Sequence, residues 1–359
     1  MSVLSCNTEP QFPTSNLEDD LQSILEMGRE IWPSLNGARF FITGGTGFIG
    51  TWLLESFVYV NNQLQLNMQA VVLTRNPKAF TSRVPHIALH PSISLLEGDV
   101  RSFTFPEGNF DVVIHGATDA SAKLLAEDPI CMFDTIVEGT RRTLDLAVKS
   151  GVKKFLFLSS GAIYGEQPDH IKFSSELDRN GPICSDASSA YAEGKRAAEL
   201  LCVLYAKQYG IEAKLARCFA FVGPYLPLDI HFAIGNFIRN AIAKETIQVK
   251  GDGTPYRSYL YAADLTYWLW RVLVKGKTAT PYNIGSDEAL SIAELAALIN
   301  RVLRGAGVEI RDKPKEASHP KRYVPSVKLA ETELGLAQTV TLEQAIIKTA
   351  CWHGWKEHS

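Results

Sequence analysis

Thr43-Gly44-Gly45-Thr46-Gly47-Phe48-Ile49-Gly50 is the stretch that decides the fold. It follows a short apolar run over 39–43 and opens a segment with helical periodicity over 48–59. Gly44, Gly47 and Gly50 let the chain leave a strand, turn sharply and enter a helix with its backbone open to a ligand. A helix N-terminus offers unpaired N–H groups and the positive end of a dipole, which suits a pyrophosphate. Thr46, Gly47, Phe48, Ile49 and Gly50 are therefore expected to carry the phosphates of a dinucleotide. The spacing is Gly-x-x-Gly-x-x-Gly rather than Gly-x-Gly-x-x-Gly, and a plain glycine-rich turn is the alternative.

Working outward, apolar runs over 70–73, 93–96, 111–115, 155–159 and 213–216 read as further strands. Helical patterns cover 131–150 and 190–209. Strands separated by helices call for right-handed βαβ crossovers, with helices on both faces of a parallel sheet. The expected fold is thus α/β, a Rossmann-type doubly wound parallel sheet. Beyond Gly223-Pro224 the alternation fails and turns multiply, as in Gly251-Asp252-Gly253-Thr254-Pro255. A smaller C-terminal substrate-binding lobe is expected there, over the carboxyl ends of the strands. The division is an N-terminal extension over 1–36, a dinucleotide-binding domain over 37–222, and 223–359 mainly as the lobe, part of it returning to the main sheet. Residues 1–16 are polar, carry Pro10 and Pro13, and are expected to be poorly ordered. Asn16 reads as an N-cap ahead of Glu18, Asp19 and Asp20. Leu17, Leu21, Leu25 and Ile31 then form a stripe to pack on the domain's flank, a partner contact being the alternative.

The chain has 359 residues, 46% hydrophobic and 21% charged, with a formal net charge of −3. That is a globular composition with ample core. The near-balance of charge gives no reason to expect nucleic acid or an anionic membrane as partner. Six cysteines without a Cys-x-x-Cys pair point to reduced thiols and a cytoplasmic protein. No signal peptide is apparent, and no apolar run nears the ~18 residues of a membrane span. His86 and His90 have a metal-like spacing, but Pro85 and Pro91 flank them and no further ligand is near, so no metal is expected.

Ser160, Tyr191 and Lys195 carry the chemistry. Tyr191 and Lys195 stand four apart on one helix face. Free tyrosine titrates near ~10, so an adjacent ammonium is expected to lower Tyr191 into a useful range for a base. Ser160, at a strand end, is placed to hydrogen-bond a substrate oxygen. After the second strand, Thr74-Arg75-Asn76 lacks the carboxylate that would hold an NAD ribose. Arg75 would instead meet a 2′-phosphate, a lean toward NADP over NAD, although an arginine also lies well along an adenine face. Asp99 with Val100 is expected at the adenine, and His115-Gly116-Ala117 along the cofactor's middle; capping or packing is the alternative for each.

On these residues the chain resembles the extended short-chain dehydrogenase/reductases, the NAD-dependent epimerase/dehydratase family acting on nucleotide sugars. The resemblance runs from about Arg39 to about Trp355. It takes in Thr43 to Gly50, Asp111 to Ala117, Ser159-Ser160-Gly161-Ala162-Ile163-Tyr164-Gly165, and Tyr191 to Lys195. Arg217 with Gly223-Pro224, Gly251-Asp252-Gly253 with Arg257, Tyr261 to Asp264, and Tyr282-Asn283-Ile284-Gly285 extend it. It implies a tightly bound NAD or NADP contacted by Ser159, Tyr191 and Lys195. It implies a nucleotide-diphosphate sugar held by Ser160, Tyr164, Asn236, Arg257 and Arg322, and a homodimer through the helices holding Gly139-Thr140 and Tyr191. Where dehydratases of this kind carry Thr-Asp-Glu and decarboxylases Thr-Ser-Glu, this chain has Ser160-Gly161-Ala162. Ala220 and Ile136 replace two asparagines common in the family. A C4 epimerase is the expected enzyme. The alternatives are a reductase or 4-dehydrogenase, a dehydratase using Glu166 or Glu193, and a non-catalytic dinucleotide-binding regulator.

Overall fold

The computed structural model describes residues 17–118, 122–230, 232–313 and 320–356. Its first half runs α1 (Glu18–Met27), β1 (Arg39–Thr43), α2 (Phe48–Leu64), β2 (Gln69–Thr74), α3 (Pro77–Arg83), α4 (Pro85–Ala88), β3 (Ile93–Glu97) and β4 (Val112–His115). It continues with α5 (Ala122–Glu127), α6 (Pro129–Lys149), β5 (Lys154–Ser160), α7 (Ala190–Tyr209) and β6 (Glu212–Cys218). The second half adds β7 (Phe221–Val222), α8 (Ala233–Ile242), β8 (Ile247–Val249), β9 (Tyr256–Arg257), β10 (Leu260–Tyr261), α9 (Ala262–Lys275) and β11 (Pro281–Ile284). The last elements are β12 (Leu290–Ser291), α10 (Ile292–Val302), β13 (Val308–Ile310), β14 (Arg322–Tyr323), α11 (Lys328–Leu334) and α12 (Leu342–Trp352).

Val112-Val113-Ile114 and Phe155-Leu156-Phe157-Leu158 are buried on both faces, the mark of strands covered by helices above and below. Seven strands accordingly form one parallel sheet in the order β11-β6-β5-β4-β1-β2-β3. The strand order reverses between β1 and β4, where Thr43 pairs with His115. Ligands of open α/β sheets sit in the crevice at such a reversal. The C-terminal half does send a strand back, β11, which lies beside β6. The three-stranded sheet β12-β9-β14 and the pairs β10-β7 and β13-β8 complete the smaller sheets.

One face of the main sheet packs α6 and α7 around Phe41, Phe103, Phe155 and Phe157. The other packs α2 and α9, with Trp52, Trp268 and Trp270 fully buried. Helix α1 belongs to that second core: Leu17, Leu21, Ile24 and Ile31 are buried, and the Trp32 ring meets Trp270 edge-on at 5.6 Å. Its N-cap is Leu17 without a side-chain bond; the expectations for Asn16 and for residues 1–16 lie outside the described residues.

Asp20 enters the core with α1 and is 5% exposed. A buried carboxylate needs donors, and it has two: Tyr261 Oη at 2.6 Å and Lys348 Nζ at 2.8 Å. Tyr261→Phe should therefore leave one carboxylate oxygen unsatisfied and destabilise the fold by about 1–3 kcal/mol. A lowered urea midpoint at unchanged slope is the expected result.

Candidate functional site

The glycine-rich turn closes backbone on backbone. Gly44 has φ +73°, and a Cβ there would sit 2.4 Å from the carbonyl carbon of Gly116. A Cβ on Gly50 would lie 2.2 Å from the Gly44 carbonyl oxygen. Gly47 is the N-cap of α2 and offers no side chain to the first turn. The turn is pinned by Gly47 N–H to the Gly44 carbonyl at 3.1 Å and by Thr51 Oγ1 to the Gly47 carbonyl at 2.7 Å. A tight loop over an uncapped helix start fits the diphosphate of a dinucleotide.

Beside it, Arg75 after β2 and Arg83 at the end of α3 line a cavity of about 250 Å³ with Thr46, Thr74, Asn76 and Phe80. Arg83 donates to the Thr46 carbonyl and, at 3.3 Å, to Thr51 Oγ1. Arg83 was not among the expected residues. It lies a helix away from the strand end that marks such sites, and no local spacing singles it out.

The other expected cofactor residues are held by bonds within the protein. Asp99 is gripped by Arg101 through Nε at 3.0 Å and Nη2 at 2.9 Å, which holds its carboxyl down at about 2. Val100 is buried against Gly139, where a Cβ would meet it at 2.8 Å. The His115 ring is a core clasp rather than a ligand contact. Nδ1 meets Thr43 Oγ1 at 2.6 Å and Nε2 meets Thr140 Oγ1 at 2.9 Å. Thr140 spends its proton on the Ile136 carbonyl, so Nε2 carries the imidazole hydrogen. Burial, with Lys195 nearby, lowers His115 to about 3 and keeps it neutral. Gly116 and Ala117 stay at the crevice as backbone.

Ser160 ends β5, and Tyr191 and Lys195 share the inner face of α7. Lys195 is 2% exposed; its Nζ donates to the Leu158 carbonyl at 2.7 Å and stands 4.9 Å from the Phe157 ring centre. Burial brings it down to about 8. The Tyr191 ring centre is 6.0 Å from that Nζ, and Ser160 is among the groups beside the phenol. Contrary to the expected lowering by Lys195, the Tyr191 pKa is raised. Desolvation outweighs the Ser160 hydrogen bond, and Cys218 adds to the rise. The ammonium is committed to a carbonyl and does not offset that burial.

Ser159 and Tyr164 also correct their expectations. Ser159 Oγ donates to Glu199 Oε1 at 2.5 Å, and Glu199 is paired with Arg217 at 2.8 Å. Tyr164 accepts from Arg217 Nη1 and donates to Asn283 Oδ1, both at 2.8 Å. Both side chains serve a buried network under the site rather than facing a ligand. Asn236 uses its amide to hold the Ile230 carbonyl at 2.8 Å, ahead of α8. Arg257 and Arg322, expected together at a diphosphate, lie on the adjacent strands β9 and β14 but on opposite faces: Arg322 is aligned with Tyr256 and lies 4.1 Å over its ring, whereas Arg257 is aligned with Tyr323, 5.8 Å from its ring. A residue not expected, Tyr323, stacks on Phe219 at 4.8 Å, the ring that covers Gly161 beside Ser160. Among the described residues no group of metal ligands forms.

The NAD dependent epimerase/dehydratase family model matches residues 40–285. The chain belongs to that family. It is 32% identical to UDP-glucuronic acid decarboxylase 1 of Xenopus tropicalis over 87% of this chain and 71% of the relative. With UDP-glucuronic acid decarboxylase 6 of Arabidopsis thaliana it shares 31% over 86% of each. A crystal structure of UDP-glucose 4-epimerase from Thermotoga maritima superposes with a TM-score of 0.73, covering 88% of this chain and 98% of that one. At 22% identity that likeness speaks for the fold alone.

As a member of the family this chain is an enzyme with an NAD-type nicotinamide cofactor. Its departure lies beside Ser160. A Cβ on Gly161 would stand 2.6 Å from the Phe219 ring, so that ring fills the space over Gly161. Glu166 pairs at the surface with Lys321 at 3.0 Å. Glu193, two residues past Tyr191 and so on another helix face, is held by Arg196 at 3.5 Å. Neither expected dehydration acid is drawn to Ser160. If Tyr191 is the base, Tyr191→Phe should cut kcat by about 10²–10⁴-fold on a turned-over nucleotide sugar, with the thermal midpoint unchanged; unaltered turnover would restore a non-catalytic role.

Proposed function

We propose that the enzyme is a nucleotide-sugar epimerase working through transient oxidation at sugar C4. The observation that carries this reading is the loop beside Ser160, which offers no acid because Gly161 is covered by the Phe219 ring, with Tyr191 and Lys195 on the inner face of α7. Alcohol–ketone interconversion needs one base for the hydroxyl proton, whereas elimination needs a further acid at the neighbouring carbons. Tyr191 removes the C4 hydroxyl proton, and Ser160 hydrogen-bonds the same oxygen as it becomes a carbonyl. Lys195 holds positive charge beneath both. Arg257, on the face of the small sheet that carries Tyr323, grips the diphosphate. A nicotinamide, when bound, supplies a hydride acceptor that also returns the hydride.

A second reading rests on the decarboxylases among the relatives. A C4 ketone is β to the carboxylate of a uronic acid, so oxidation at C4 alone prepares loss of CO2. Mass spectrometry of the ligand released on denaturation, then NMR of products from UDP-, GDP-, CDP- and dTDP-sugars including UDP-glucuronate, separates the two. The epimerase reading expects an isomer of the substrate and no net cofactor consumption. Stoichiometric oxidation or reduction of added cofactor would replace it with a reductase or dehydrogenase.

The same reading takes NADP as the preferred cofactor, supported by two guanidinium groups at one cavity, Arg75 and Arg83. Arg75→Ala should weaken NADP binding to the cofactor-free protein by about 10–100-fold while leaving NAD nearly unchanged in calorimetric titration. Equal losses for both cofactors would assign Arg75 to the adenine instead. A homodimer across the α6–α7 face is included, supported by exposed Ile130, Leu200 and Leu204. Cytoplasmic residence is likewise part of the reading. Among the described residues no helix is long and apolar enough to cross a membrane, and none of the described cysteines forms a disulfide.

A further inference from the structure

Glu55 on α2 is 5% exposed and has no part in the chemistry described so far. A carboxylate buried to that degree needs donors. Two converge on its Oε1. His86 Nε2, from α4, stands at 2.9 Å, and the Tyr225 hydroxyl donates from the turn that follows β7.

The glycine-rich turn reaches Glu55 by two short routes. Along α2, Thr51 holds the Gly47 carbonyl at 2.7 Å and stands one helical turn before Glu55 on the same face. Beside the cofactor cavity, Arg83 donates to the Thr46 carbonyl and to Thr51 Oγ1, and His86 follows it on α4.

On the far side, Tyr225 has φ +70°, a left-handed backbone that a bulky residue keeps only where its surroundings impose it. Its ring packs on Trp352 of α12 at 4.6 Å. The carbonyls on either side are held from the same two helices: Pro224 by Trp52 Nε1 at 2.8 Å and Leu226 by His353 Nε2 at 3.1 Å. This turn also meets the reactive side. The run leading into it starts at Cys218, the register partner of Ser160, and passes through Phe219, the ring over Gly161. Helix α8 rests just beyond it, where a Cβ on Gly235 would lie 3.0 Å from the Pro227 carbonyl oxygen.

We propose that Glu55 couples the two halves of the site: a cofactor seated on the glycine-rich turn steadies Glu55, and Glu55, through Tyr225, steadies the turn over 223–226. Order gained at one site is then no longer a cost at the other, which is cooperativity without displacement. A nucleotide sugar thus meets a pocket already firmed by the nicotinamide cofactor. The inference rests on the reading of the glycine-rich turn as the cofactor site and is independent of the C4 chemistry.

Hydrogen–deuterium exchange of the full chain, cofactor-free and with saturating NAD or NADP, tests this without a substrate. In the parent protein, cofactor should slow exchange over 44–51 and also over 220–230. Tyr225→Phe keeps the ring on Trp352 and leaves Glu55 with His86. It should cut the slowing over 220–230 by about tenfold or more, the scale of one hydrogen bond to a charged group, while that over 44–51 persists. If Tyr225→Phe fails to fold by near-ultraviolet circular dichroism, Glu55→Gln keeps an acceptor, removes the charge and should give a smaller loss of the same kind. No slowing over 220–230 in the parent would overturn the proposal. So would unchanged slowing in the variant, or an equal rise in exchange with and without cofactor, the mark of a merely structural bond. No slowing over 44–51 with either cofactor would instead fault the cofactor site, and the coupling with it.

Discussion

Between the turn after β1 and the turn after β4 there is no room for one extra carbon, and much of the site follows from that contact. Gly44 and Gly116 meet main chain to main chain because β1 and β4 are register partners at the point where strand order reverses. Helices leave the sheet on opposite sides there, which opens the crevice. The contact fixes where α2 begins and sets its uncapped first turn beside the cavity lined by Arg75 and Arg83. His115 reinforces it from below by tying Thr43 to Thr140, so a charged, titrating imidazole is exchanged for a neutral brace.

A second constraint holds the reactive side of the crevice. Glu199 on α7 and Arg217 on β6 form a buried, bidentate pair, and Ser159, Tyr164 and Asn283 complete its hydrogen bonds. Removing either charge would strand the other in a dry interior, so such pairs specify geometry more than they add stability. Here the geometry specified is that of α7 against β5 and β6, the elements that carry Tyr191, Lys195 and Ser160. The lobe is joined to the same network, since Asn283 Nδ2 donates to the carbonyls of Ser174 and Ser326.

The fold was legible because its signals are local. Glycines at a strand–helix junction and a tyrosine four residues before a lysine declare themselves by spacing. Side-chain direction was less legible. In strands buried on both faces, apolar content does not say which face a polar residue takes, so Ser159 and His115 read as ligand contacts and proved to be braces. The expected lowering of the Tyr191 pKa failed for a related reason: sequence shows the neighbour four positions on, but not that Lys195 is spent on the Leu158 carbonyl. Tyr323 and Arg83 were missed because tertiary packing alone brings them to Phe219 and Thr46.

The carboxylate of Asp20 ties the opening of the described chain to its close. Its two donors lie 241 and 328 positions away. Loops of that span are slow to close, since their entropy is lost before any contact repays it. A nascent chain leaving the ribosome would therefore present the apolar side of α1 long before α12 exists to complete the clasp. The helix holding Lys348 must be made before this molecule can seal its core.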